Sequence, residues 1–158
     1  VIATASPEKL DQLKELGADY TVDHRKENWH KEVFKISKEL AKKNNEAPGI
    51  DVIFEHIGGS HFNKELTLLK YGATIVTTGA TTGYDAPADL RHIFFKGINI
   101  LGSTQGTRAE LEDGFYWMGQ GKIKVIIDSE YTFENAVDAH NKMLNGKGLV
   151  GKIILKPE

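Results

Sequence analysis

The chain has 158 residues, 40% hydrophobic and 27% charged, a make-up that suits one globular domain with a real core and excludes disorder and fibrous repeats. With no cysteine, a thiolate nucleophile, an iron–sulfur cluster, a disulfide scaffold and a cysteine-based zinc site are excluded. A formal charge of −2 gives no pull toward nucleic acid or an anionic membrane surface, and no apolar run approaches the ~20 residues that span a bilayer.

Short β-branched runs alternate with segments of helical period. Residues 1–3 read as a strand already in progress, with neither an initiator Met nor a leader pattern, so we expect a chain cut from something longer, and a cytoplasmic one. Ser6-Pro7-Glu8 supplies an N-cap, a first-turn Pro and an early acid. Leu10, Leu13 and Leu16 then share a helical face that Gly17 closes as a left-handed cap. Residues 20–22 form a second strand. Trp29, Val33, Ile36 and Leu40 mark an amphipathic helix that frays over residues 42–46, before a turn at Pro48-Gly49.

Residues 50–54, apolar apart from Asp51, predict a third strand buried on both faces. A helix with Phe62, Leu66 and Leu69 follows, then a strand over 73–77, a loop over 79–87, a short helix over 90–95 and a fifth strand over 98–101. Leu111, Phe115 and Met118 mark the next helix, ended near Gly119 and Gly121, and residues 125–127 read as extended. A helix with Phe133, Val137, His140 and Leu144 and a strand over 153–155 complete the chain. No repeat or linker divides it. The alternation predicts an α/β fold, a parallel sheet with helices on both faces, as one cooperative unit.

In such sheets ligands bind beyond the carboxyl ends of the strands. Three successive strands end in Glu55-His56-Ile57-Gly58-Gly59, in Thr78-Gly79-Ala80-Thr81-Thr82-Gly83, and in Gly102-Ser103-Thr104-Gln105-Gly106. Small turns in series on one sheet edge let a flat ligand approach the backbone, which points to a nucleotide. Of the six histidines, none makes an i, i+4 pair with a nearby carboxylate, so no metal site is predicted. Only His56 stands at a strand end. Ser103 and Thr104 lack a His/Asp partner in a nucleophile elbow, which argues against hydrolase chemistry.

These residues also carry a resemblance. Leu16-Gly-Ala-Asp19, Asp51 to Gly59, Gly79-Ala-Thr-Thr-Gly83, Phe94-Phe-Lys-Gly97, Ile100-Leu-Gly-Ser-Thr104 and Gly151-Lys-Ile-Ile-Leu-Lys-Pro157 together resemble the cofactor-binding half of the medium-chain dehydrogenase/reductase superfamily, the zinc alcohol dehydrogenases and quinone oxidoreductases. The resemblance runs nearly end to end, and implies a Rossmann-like sheet of order 3-2-1-4-5-6. The family's first strand, glycine-rich phosphate loop and first helix would precede Val1, as would the catalytic domain that holds zinc in the zinc-dependent members. Residues 1–158 are thus expected to be a partial nucleotide-binding domain, with a slot roughly 9–10 Å wide where the first strand belongs.

NAD-specific Rossmann domains place an acid at the end of the second strand, where this chain has Ala3-Thr4-Ala5-Ser6. A Ser hydroxyl with Lys9 one turn on and Arg25 after the next strand suits a 2′-phosphate, so NADP(H) is expected, with NAD as the alternative. The other reading makes Ser6 an N-cap only and Lys9 and Arg25 solvated charges. By resemblance, Gly79, Ala80 and Thr81 with Ser103, Thr104 and Gln105 hold the nicotinamide end; His56, from its place at a strand end facing the crevice, either lies beside the cofactor or is a plain turn histidine. Lys152 either reaches the cofactor phosphates or sits on the polar face of a terminal strand. The implied activity is hydride transfer between nicotinamide and an alcohol, carbonyl or activated alkene, the catalytic groups lying outside the chain. The alternative is a non-catalytic nucleotide-binding or dimerisation module. The strand over Ile98-Asn99-Ile100-Leu101 is expected at the sheet edge, joining a homodimer with residues 125–127 alongside, and no nucleic-acid or membrane partner is expected.

Overall fold

The computed structural model describes residues 1–146 and 148–157. Seven strands and six α-helices alternate along them: β1 (Ile2–Ala5), α1 (Leu10–Glu15), β2 (Tyr20–Asp23), α2 (Trp29–Asn44), β3 (Ile50–Glu55), α3 (Gly59–Leu68), β4 (Leu69–Thr77), α4 (Leu90–Lys96), β5 (Asn99–Gly102), α5 (Arg108–Gly119), β6 (Ile127–Thr132), α6 (Ala136–Asn145) and β7 (Lys152–Lys156). The α/β class is as the sequence predicts. The sheet is not continuous among the described residues: β1 pairs with β2, β3 with β4 and β4 with β5, and β6 with β7. The chain divides into two compact units, one of Val22–Gln105 with Ile2, the other of Val1, Ala3–Thr21 and the segment from Gly106 onward.

The first unit holds the buried core. Parallel ladders set Ile53 beside Ile75 and Ile75 beside Ile100, and Phe54 beside Val76 and Val76 beside Leu101. Leu66, Leu69, Ala73, Ile75 and Ile98 form one buried cluster, and Val22, Trp29, Val33 and Leu68 form another, with Ile50 and Ile53 packed against both. Helix α2 buries Trp29, Val33, Ser37 and Ala41, a strict i, i+4 stripe, and does not fray where its polar residues begin. It runs to Asn44 and ends on a left-handed Asn45 (φ 58°). The hydroxyl of Ser37 donates to the Phe34 carbonyl and accepts from the Gly49 amide, which ties the helix to the turn before β3.

Two other expectations change here. Strand β3 is not buried on both faces: Val52 is 50% and Phe54 78% exposed, while Ile53 faces the core. Leu69 belongs to β4, which starts directly after α3 and has an irregular register between Ile50 and Val52 of its neighbour. The ammonium of Lys96 donates to the carbonyls of Leu66, Thr67 and Leu69 and so closes that helix end.

The second unit is organised by polar contacts. Gly17 (φ 104°) ends α1 in a Schellman arrangement, with Gly17 N–H on the Lys14 carbonyl and Ala18 N–H on the Leu13 carbonyl. Helix α5 begins at a reciprocal capping box between Thr107 and Glu110 that the sequence reading overlooked. The apolar stripe expected to bury α6 faces solvent instead: Phe133, Val137 and Leu144 are exposed and Ala139 is the buried residue. The stripe of α5 is likewise exposed at Leu111, Phe115 and Met118. Strand β6, polar in sequence and foreseen only at its first residue, pairs in parallel with β7, and Asp128 holds the Lys142 ammonium of α6 at 2.5 Å.

Leu66 is fully buried at the centre of its cluster. Leu66→Ala should therefore lower unfolding stability by about 2–5 kcal/mol, read as a lower urea midpoint with an unchanged slope.

Candidate functional site

The parallel ladder of β3, β4 and β5 brings three strand ends level at one edge, pairing Glu55 with Thr77 and Thr77 with Gly102. Beyond Thr77 the chain folds back along the β3–α3 turn instead of leaving it. Thr78 N–H donates to the Glu55 carbonyl at 2.8 Å, Thr81 N–H to that of His56 at 3.1 Å, and Thr82 N–H to that of Ile57 at 2.8 Å. The hydroxyls of Thr78, Thr81 and Thr82 reach the same three carbonyls. Gly59 N–H then donates to the Gly83 carbonyl at 3.0 Å. This close approach needs glycine at 58: its φ is +72° and a Cβ there would strike the Gly83 carbonyl.

Between the ends of β4 and β5 lies an open cleft of about 720 Å³, lined by Thr77 to Ala80 and by Gly102 to Gln105. Ser103 N–H donates to the Thr77 carbonyl at 2.9 Å and keeps the two walls in register. Hydroxyls, one primary amide and small residues make up the lining, and no charged side chain is among them. Such a surface suits a flat, neutral, hydrogen-bonding group and is poorly suited to a phosphate.

Of the residues singled out from sequence, Gly79, Ala80, Ser103, Thr104 and Gln105 meet in this cleft. Thr81 does not line it; its hydroxyl is engaged by the His56 carbonyl at 2.8 Å. His56 is exposed at the turn, and a Cβ on Gly79 would lie 3.3 Å from its carbonyl oxygen, so backbone rather than imidazole carries its part in the packing. Arg25 is exposed after β2, its N–H on the Asp23 carboxylate at 2.9 Å.

In the other unit, Ser6 is buried, yet makes no side-chain cap: the chain enters a 3-10 turn over Pro7–Lys9, with Lys9 N–H on the Ser6 carbonyl. The N-cap reading of its hydroxyl is thereby corrected. Lys9 is half-buried at the end of that turn. Lys152 opens β7 with an exposed side chain, its N–H on the Ile126 carbonyl at 2.9 Å.

Sequence reading passed over two buried carboxylates. Glu55 is 2% exposed at the end of β3; one of its oxygens accepts the N–H groups of Ile57 and Gly58, both at 2.5 Å, and the other accepts the Thr77 hydroxyl at 3.1 Å. Glu65 on α3 is 8% exposed with an unpartnered oxygen, and burial, reinforced by the charge of Glu55, raises its pKa to about 7. An acid within an otherwise apolar helical stripe is the only signal in the sequence that could have marked Glu65. Nearby, Trp29 stacks on His61 (ring centroids 5.6 Å apart), and burial with the positive charges of His24 and Lys64 pushes the His61 pKa down. No group of three or more His, Asp or Glu among the described residues could hold a metal ion.

An edge of parallel strands with a glycine-bearing return is part of a fold shared with known dehydrogenases. A family profile described as zinc-binding dehydrogenase matches residues 1–120. The chain belongs to that family, within the medium-chain dehydrogenase/reductase superfamily. It is 28% identical to crotonyl-CoA reductase of Streptomyces collinus over 171 residues, covering 100% of this chain and 38% of that protein. It is 31% identical to quinone oxidoreductase of Pongo abelii over 163 residues, covering 98% of this chain and 46% of that protein. Among solved structures, an NAD-dependent alcohol dehydrogenase superposes with a TM-score of 0.84 at 30% identity, over 99% of this chain and 43% of that one. The chain spans less than half the length of each of these relatives.

Gly58→Ala should destabilise the protein by more than ~1 kcal/mol and free the return loop, seen as faster amide exchange at Thr81 and Thr82 with little change at Ile75.

Proposed function

We propose that residues 1–158 form part of the nucleotide-binding domain of an NADP(H)-dependent oxidoreductase that moves hydride between nicotinamide and an alcohol, carbonyl or activated alkene. The observation that carries this reading is the uncharged cleft between β4 and β5 in a chain of the zinc-binding dehydrogenase family. When bound, the nicotinamide supplies the hydride chemistry and the protein supplies binding and orientation. Ser103, Thr104 and Gln105 would offer hydroxyl and amide groups to the nicotinamide end, and Gly79 and Ala80 would leave room beside them. The catalytic groups, and any zinc, belong to a catalytic domain of the whole protein.

The preference for the 2′-phosphate rests on Ala5 and Ser6 standing where NAD-specific domains carry an acid, with Lys9, Arg25 and Lys152 as the basic residues that would meet the cofactor's phosphates. A crotonyl-CoA carboxylase/reductase solved with NADP shares the fold at a TM-score of 0.82 and 20% identity. NADPH at one hundred times its Kd should stabilise the protein by about 2.7 kcal/mol, visible as a raised Tm. No shift at millimolar NADPH would favour the non-catalytic module. Ala5→Asp should reverse the preference to NADH through repulsion of the 2′-phosphate, and equal affinities for both cofactors before and after the change would refute the assignment.

We also propose a homodimer through β5. This strand ends its sheet and all four of its residues are exposed, with Ile100 42% and Leu101 52% exposed and no charge or Pro to blunt the edge. Since Ser103 N–H points to β4, the period of two turns Ile100 N–H outward. Ile100→Pro removes that outward donor and leaves the inner ladder intact, so light scattering should show monomers at micromolar concentration. A variant that stays dimeric with unchanged affinity places the interface elsewhere.

A further inference from the structure

Glu55 is the last residue of β3 and stands beside Thr77 in the parallel ladder, with Gly102 on the far side of Thr77. It is 2% exposed, and its two side-chain oxygens face different segments. One accepts the Ile57 and Gly58 N–H groups, each at 2.5 Å, inside the β3–α3 turn. The other accepts the Thr77 hydroxyl at 3.1 Å, across the ladder. The main-chain carbonyl of Glu55 takes the Thr78 N–H at 2.8 Å and the Thr78 hydroxyl at 3.2 Å. Thr77 and Thr78 line the cleft, and the Thr77 carbonyl receives the Ser103 N–H from the opposite wall at 2.9 Å. A chain of hydrogen bonds therefore runs from the turn through Glu55 and Thr77 to Ser103, with Glu55 buried behind the wall that Thr77 presents.

We propose that Glu55 is a positioning residue for the cleft: by tying the Thr77 side chain to the β3–α3 turn, it fixes the rotamer of Thr77 and the wall that meets the nicotinamide end of the cofactor. The effect on cofactor rests on the nucleotide-binding reading above. Thr77 carries a hydroxyl and a methyl on one carbon, so a change of χ1 well exchanges what the wall shows at a given point. A second acceptor, the Gly79 carbonyl, lies 3.5 Å from the same hydroxyl, at the limit of a hydrogen bond, so the contact to Glu55 is the firmer hold.

The length of the side chain matters because it must reach two segments at once. An Asp at this position would keep the turn, since a short acid accepts the N–H groups two and three residues on, as it does at a helix N-cap. One methylene shorter, it would withdraw from Thr77 across the ladder. A Gln keeps the length. Its carbonyl oxygen can accept both N–H groups, and its NH2 can donate to the Thr77 hydroxyl, which turns its own proton away. The two variants thus separate the hold on Thr77 from the hold on the turn, and they do so against the order of charge.

The test reads the χ1 of Thr77 by three-bond NMR couplings in the protein without ligand, in the wild type, Glu55→Asp and Glu55→Gln. The Ile57 and Gly58 amides, protected from exchange in all three, report that the turn is intact. We expect one Thr77 rotamer in the wild type and in Glu55→Gln, and averaging between rotamers in Glu55→Asp, with faster amide exchange at Ser103 in that variant alone. NADPH, followed by its own fluorescence well below Tm, should bind Glu55→Asp several-fold more weakly and Glu55→Gln with close to the wild-type affinity. A residue that only stabilised the fold would lower Tm on shortening and leave the Thr77 rotamer as it was. A single Thr77 rotamer in Glu55→Asp, averaging in Glu55→Gln, or a freed Thr77 with NADPH affinity unchanged overturns the positioning role. Absence of NADPH binding by the wild type overturns the nucleotide reading alone, because the couplings decide the hold on Thr77 without ligand.

Discussion

Three parallel strands that end level with one another set the terms for the rest of this protein. Parallel pairing leaves the last carbonyls of each strand without a partner on the next, and the chain must satisfy them as it turns away. Here the return segment from Thr78 to Gly83 does so, laying threonine amides and hydroxyls on the carbonyls of Glu55, His56 and Ile57. The cleft exists because that return keeps the β4 exit against the β3–α3 turn while the β5 exit is held to Thr77 by a single amide.

Energetically the two sides of this arrangement differ. The ladder is supported beneath by Leu66, Ile75 and Val22, each fully buried, so the strands themselves are rigidly placed. At the strand ends polar contacts take over, and the buried carboxylate of Glu55 substitutes for water on two amides and a hydroxyl. Charge-assisted bonds of this kind are about twice as strong as neutral ones.

The lining of the cleft bears directly on the function proposed for it. The cleft between β4 and β5 carries hydroxyls and an amide but no charge, so it suits the neutral end of a dinucleotide.

Much of this was legible in sequence, because it depends on neighbours along the chain. Strand–helix alternation, the left-handed glycine after α1, the small residues at the ends of β4 and β5, and the edge position of β5 follow from local periodicity, turn chemistry and family resemblance. Burial was less legible, because it is a property of what packs on a segment. The apolar stripe of α6 resembles that of α2, yet α2 is buried and α6 buries only Ala139. Val52 and Phe54 read as core and lie exposed for the same reason. Ser6 matched an N-cap in type and place, but the backbone closed its own 3-10 turn. Glu55 and Glu65, ten positions apart and ordinary as single letters, become buried only when β3 and α3 pack. Local residue order thus determined the elements and their turns. Tertiary packing decided which faces became dry, and with them which charges matter.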